Sequence, residues 1–152
     1  MMFFLALLIG VVAGMRALIA PTAVAWGAFL GFIAVSGTPL AFMGYRFTPW
    51  VFTVLAVLEL VSDKLPATPS RKVPAQFAAR ILMGALSGAT IGAAGGSLAA
   101  GLAVGIMGSA IGTFAGSALR FRMAAYFGSD RPAALTEDLL AVVLAIITIA
   151  LC

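Results

Sequence analysis

The feature that most constrains this chain is its succession of apolar runs, at residues 2–19, 23–35, 49–64, 77–94, 98–119 and 132–151, separated by short polar segments. A hydrocarbon layer ~30 Å thick takes about 20 apolar residues as a helix, or roughly 10 as a strand of a closed barrel. The runs are too long and too continuous for barrel strands. They predict an all-α integral membrane protein, a polytopic helical bundle of about six spans. A soluble domain is excluded because 63% of the residues are hydrophobic and only 9% are charged, against an apolar share of about half in soluble proteins. One transmembrane domain is expected over residues 1–152, divided into halves 1–64 and 77–152 by the polar connector 65–76. The first two runs are short for full crossings, so a re-entrant pair is the alternative to two spans.

Charge placement sets the expected topology. Lys64, Arg71, Lys72 and Arg80 flank one connector, Arg120, Arg122 and Arg131 lie at the other, and Arg16 falls on the same side. Only Arg46 stands opposite. By the positive-inside rule both connectors face the cytoplasm and both termini lie outside, in a multi-pass protein of a bacterial inner membrane. The net charge of +4 is therefore a topology signal, and no nucleic-acid partner is expected. Residues 1–20 have the apolar centre of a signal peptide without a basic stretch before it, and read as a retained first span. With no histidine and one cysteine, neither a disulfide nor a Cys/His metal site nor a histidine-ligated haem is available, and no cofactor is expected.

Glycines punctuate the spans at steps of three or four residues: Gly10 and Gly14, then Gly84, Gly88 and Gly92, then Gly101, Gly105, Gly108, Gly112 and Gly116. Such spacing lets helix backbones approach closely in lipid. It predicts tight helix contact, with a homodimer built on the glycine faces. Three spans, a connector and three more spans of opposite direction have the arithmetic of two inverted three-helix repeats. A helix break is expected at Ala20-Pro21-Thr22, and a short interfacial helix at 121–126.

The chemistry is concentrated in a few ionisable groups. Charges within a membrane helix are costly, so those present are paired, face a cavity, or both. Glu59 and Asp63 share one helix face one turn apart, and Pro66 ends that helix. Glu137 and Asp138 enter from the last span, and Arg16 and Arg80 are the nearest counter-charges. The candidate site is therefore Glu59, Asp63, Glu137, Asp138, Arg16 and Arg80, with Glu59 expected beside Glu137 or Asp138 and Asp63 at the interface. Carboxylates crowded in such a place have raised pKa values and exchange protons or bind cations. The broken helix near Arg16 is a second ion-binding candidate. No HExxH, GxSxG or P-loop pattern is present, so no enzyme is expected.

Ala13-Gly14-Met15-Arg16-Ala17 with Pro21, the Glu59-Leu60-Val61-Ser62-Asp63-Lys64-Leu65-Pro66 exit and Glu137-Asp138-Leu139-Leu140-Ala141 together resemble a family of small bacterial integral-membrane proteins catalogued as a domain of unknown function. The resemblance implies a helical inner-membrane protein and no settled activity. Relatives in that family follow the proline with aspartate and histidine, where this chain has Ala67-Thr68-Pro69-Ser70. The expectation is a small transporter or channel-like permease for an ion or small solute, with its carboxylates near the cytoplasmic side. The alternatives are an accessory membrane protein whose charges are fixed ion pairs, and a lipid-handling protein.

Overall fold

A computed structural model describes residues 1–63 and 73–152. The described residues form six α-helices and one 3₁₀ turn, with no strand: α1 (Met2–Met15), α2 (Ile19–Phe29), the 3₁₀ turn Ala41–Gly44, α3 (Thr48–Ser62), α4 (Pro74–Ala94), α5 (Leu98–Phe127) and α6 (Asp130–Ala150). Three of the six, α4, α5 and α6, are long and apolar enough to cross a membrane. At 1.5 Å per residue α1, α2 and α3 reach only about 21, 16 and 22 Å. Lys64, Leu65, Pro66, Arg71 and Lys72 lie outside the described residues.

The exterior is as apolar as the interior. Val51, Val54, Leu58, Phe114, Leu139 and Ile146 are all more than half exposed, and α3 buries only Pro49 and Ala56. A continuous apolar coat of this kind is unsustainable in water and normal against lipid. Membrane residence follows from it together with the three long helices. The buried hydroxyls of Thr90 and Thr148 bond back along their own helices, to the Leu86 carbonyl at 2.7 Å and the Leu144 carbonyl at 2.7 Å, so both are paired within the layer.

Neighbouring helices run both against and along one another. Gly95 at the end of α4 lies against Met2, while Arg80 near its start reaches Gly14 and Met15, so α1 and α4 are antiparallel. Gly10 meets Gly105 and Gly108, and Gly14 meets Ser109 and Gly112, so α1 and α5 are parallel. Between α2 and α3, Leu18 faces Glu59 and Trp26 faces Thr53, an antiparallel pair. Arg16 meets Asp138 and Gly27 meets Ile149, so α2 runs with α6.

The glycines are used inside the protomer. A Cβ at Gly88 would stand 2.5 Å from the Gly101 carbonyl oxygen and 2.6 Å from the Gly105 Cα, and one at Gly92 would stand 2.5 Å from the Gly101 Cα. Only hydrogen fits where backbone meets backbone. The close-contact reading of the stripes therefore holds, and the faces proposed for a homodimer are already occupied by α1, α4 and α5. The halves also pack unequally: α4 locks onto α5, whereas α1 packs on α4 and α5 rather than on α2.

Several expected boundaries move: α2 ends at Phe29 rather than at 35, and α4 starts at Pro74, inside the expected connector. The break falls at Arg16–Leu18 rather than at Pro21, which sits in the first turn of α2, where a proline's missing N–H breaks no helical bond. Residues 121–126 are not a separate interfacial helix; α5 continues through them to Phe127 and ends at Gly128, whose φ of +66° is the left-handed conformation that glycine supplies at helix ends.

Candidate functional site

Two helices running in opposite directions meet at a three-residue apex, and the site is built around it. α1 stops at Met15 because Arg16 adopts an extended conformation (φ −139°, ψ 110°), and α2 begins at Ile19. A helix end leaves carbonyls unpaired and a helix start leaves N–H groups unpaired, and inside a membrane neither finds water. Here each is met by a side chain of the matching charge. Arg80 of α4 donates from Nη1 to the Gly14 carbonyl at 2.9 Å and to the Met15 carbonyl at 2.7 Å. Glu59 of α3 accepts the Ala17 N–H on one carboxylate oxygen and the Leu18 N–H on the other, both at 2.8 Å.

These are interhelical caps. The negative end of the α1 dipole receives a guanidinium and the positive end of the α2 dipole receives a carboxylate. Arg80 is only 2% exposed, and its own backbone carbonyl accepts a hydrogen bond from Ser109 of α5 at 2.7 Å, so the cap is anchored from both sides.

Between the caps lies the Arg16 side chain, fully buried. Its Nη1 donates to Asp63 at the end of α3. Its Nη2 lies 2.5 Å from an Asp138 carboxylate oxygen, an ion pair made by proximity without hydrogen-bond alignment, and 4.0 Å from Glu137. Glu137 is in turn 3.9 Å from Arg120 of α5, which forms a two-point pair with Asp130 at 2.9 and 2.5 Å. The result is a charged chain from the apex to the exposed end of α5: Arg16, Glu137, Arg120, Asp130.

Depth can be read from the flanking helices. Arg80 lies six residues after the start of α4 and Asp138 eight after the start of α6, about 9 and 12 Å along their axes. The apex is therefore well inside the ends of the long helices. Non-helical backbone at such depth is tolerated where it is enclosed in protein or lines a cavity.

The structure brings all six candidate residues to this apex, but it rearranges their roles. Glu59 was expected beside Glu137 or Asp138; its carboxylate is turned onto the backbone of 17 and 18 instead. Asp63, read as an interfacial residue, is the α3 group that meets Arg16. The reason is reach: on a shared helix face the residue nearer the helix end stands level with the guanidinium, and the one a turn earlier stands level with the α2 start. Arg80, expected as a counter-charge or anion holder, works on carbonyls. Ser109 carried no distinguishing sequence signal among the small residues of α5. Among the described residues no group of three or more acidic or cysteine side chains is arranged to hold a metal ion.

No family model, curated protein or solved structure matches this chain.

Proposed function

We propose that the chain is a small transporter or permease for an ion or small solute, in which α1 and α2 form a re-entrant hairpin and α3 to α6 cross the membrane. The supporting observation is the enclosed helix break at 16–18, capped by Arg80 and Glu59 and filled by Arg16 with its carboxylates. Paired broken helices whose ends point at charge are the device by which secondary transporters build ion sites at membrane depth. The hairpin reading suits α2 above all, whose length of about 16 Å is close to half of a ~30 Å layer. It also keeps all the described carboxylates on one side, which the positive-inside rule assigns to the cytoplasm of a bacterial inner membrane. Because the glycine faces are occupied, a homodimer would use the exposed aliphatic faces of α3 or α6.

The test is cation flux into liposomes containing the purified protein and a trapped pH dye, with proton, sodium and potassium gradients imposed in turn. Flux above that of empty vesicles, reduced at least tenfold by Asp138→Asn in a protein that keeps its wild-type melting profile, is the expected result. Wild-type vesicles no leakier than empty ones under all three gradients would overturn the reading.

A second reading rests on the same cluster: all five acids are engaged, Glu59 by backbone and the other four by Arg16 or Arg120. A charge lock of this kind suits an accessory membrane protein that transports nothing, and the flux measurement separates the two.

A further inference from the structure

Beside the charged apex and extending away from it, α2, α3 and α6 enclose a pocket of about 460 Å³. Its wall is hydrocarbon, with Ala56, Leu60, Val142 and Ile146 among the lining residues. The few polar atoms in it are already bonded. Thr22 Oγ1 lies 2.6 Å from the Leu18 carbonyl oxygen and 2.9 Å from that of Phe52, so its single hydrogen is taken up within the protein. Trp26 Nε1 donates to Thr53 Oγ1 at 3.0 Å, and Thr53 donates to the Pro49 carbonyl at 2.7 Å. A polar solute would find no partner here and would lose its hydration, so the occupant is aliphatic.

Its dimensions and setting narrow the class further. The pocket runs from Ile19 to Leu30 along α2, about 16 Å, close to half of a ~30 Å hydrocarbon layer and so to the depth of one leaflet's chains. Its walls include Val142 and Ile146, which are exposed on the lipid-facing coat, so it opens sideways into the bilayer. At the end away from the apex the Trp26 ring stacks edge-on with Trp50 at 5.1 Å and with Phe29 at 6.0 Å, an aromatic girdle of the kind found at headgroup level. Arg46 precedes Trp50 by four residues, is exposed, lies over the Phe47 ring at 5.8 Å and makes no ion pair among the described residues. Among the described residues it is the single charged side chain of that end, and it is positive.

We infer that this pocket holds an acyl chain of an anionic phospholipid from the leaflet on the Arg46 side, with the lipid phosphate at Arg46. Charge complementarity selects the headgroup and the apolar wall selects the tail. The site is independent of the transport reading, because it shares no ionisable residue with the apex.

The chain carries its own reporters, since Trp26 and Trp50 are its only tryptophans. The experiment is tryptophan quenching of the purified full chain in phosphatidylcholine vesicles containing increasing fractions of phosphatidylglycerol brominated on its acyl chains. Wild type is expected to show a saturable quenching phase at low brominated fraction. Arg46→Gln shifts its midpoint upward about fivefold, the effect of one cation on an anionic headgroup. Brominated phosphatidylcholine gives a midpoint that Arg46→Gln leaves in place. Ala56→Phe, which fills the pocket, removes the saturable phase and leaves the linear quenching of surrounding lipid. Ala23→Leu, narrowing the pocket from α2, carries the same comparison if Ala56→Phe does not accumulate. Quenching that follows bulk lipid composition equally in wild type and pocket variants overturns the inference, as does quenching that emerges only when the protein is diluted to single copies per vesicle, which would mark a second copy as the occupant.

Discussion

The trio α1, α4 and α5 and the trio α2, α3 and α6 are both predominantly apolar and pack by opposite means. In the first, glycines bring backbones together so closely that a single methyl at Gly84 would meet the Ser109 Cβ at 2.5 Å. In the second, side chains hold the helices apart around a pocket of about 460 Å³. In lipid, association gains nothing from expelling water and depends on van der Waals fit and polar contacts. The first trio obtains both and behaves as a scaffold. The second is held mainly through the apex and keeps room for a guest.

The largest effect is expected at the joint between the trios. Arg16→Met removes a buried cation from Asp63 and Asp138, and breaking such a pair costs about 3–5 kcal/mol. Thermal unfolding in detergent should show the variant failing to accumulate or melting far below wild type; an unchanged melting temperature would mean that the Arg16 pairs do not hold the trios together. Gly88→Ala comes next, at about 1–3 kcal/mol, because the obstruction is backbone and cannot swing aside. Glu59→Gln keeps one acceptor for the two N–H groups of 17 and 18 and loses the charge, so about 1–2 kcal/mol is expected. Measured beside Glu59→Ala, which should cost more, it separates capping from charge. Ala56→Phe should be the mildest, within about 1 kcal/mol, since it adds a ring to empty space. A larger loss from Ala56→Phe than from Gly88→Ala would abolish the contrast between scaffold and guest side.

What was legible in the chain depended on whether one helix determined it. The extents of α4 and α6 follow the apolar runs 77–94 and 132–151 to within three residues; α4 starts earlier, at Pro74, inside what reads as connector. Close packing was legible in the glycine steps, but the identity of the opposing helix was not, since the same stripe suits a second copy or a neighbour in the same chain. Pro21 misplaced the break because a proline is compatible with the first turn of a helix. The true break, at Arg16, is decided by Arg80 and Glu59, residues far along the chain. Arg120 and Arg122 suggested the end of α5 at the interface, but a helix leaving the bilayer has no reason to stop until a residue such as Gly128 turns it. The six ionisable candidates were legible from the cost of placing charge in lipid; which one touches which required the helix register.

The capped hairpin also dictates an order of events during synthesis. Its two helices are made before any of their partners: Glu59 follows Ala17 by 42 residues, Arg80 follows Gly14 by 66, and Asp138 comes later still. Until α3 and α4 arrive, the apex holds unpaired backbone groups and an isolated arginine that lipid rejects. The apex is therefore completed in stages: α3 and α4 bring the groups that cap its backbone, and α6 brings the last carboxylates to Arg16.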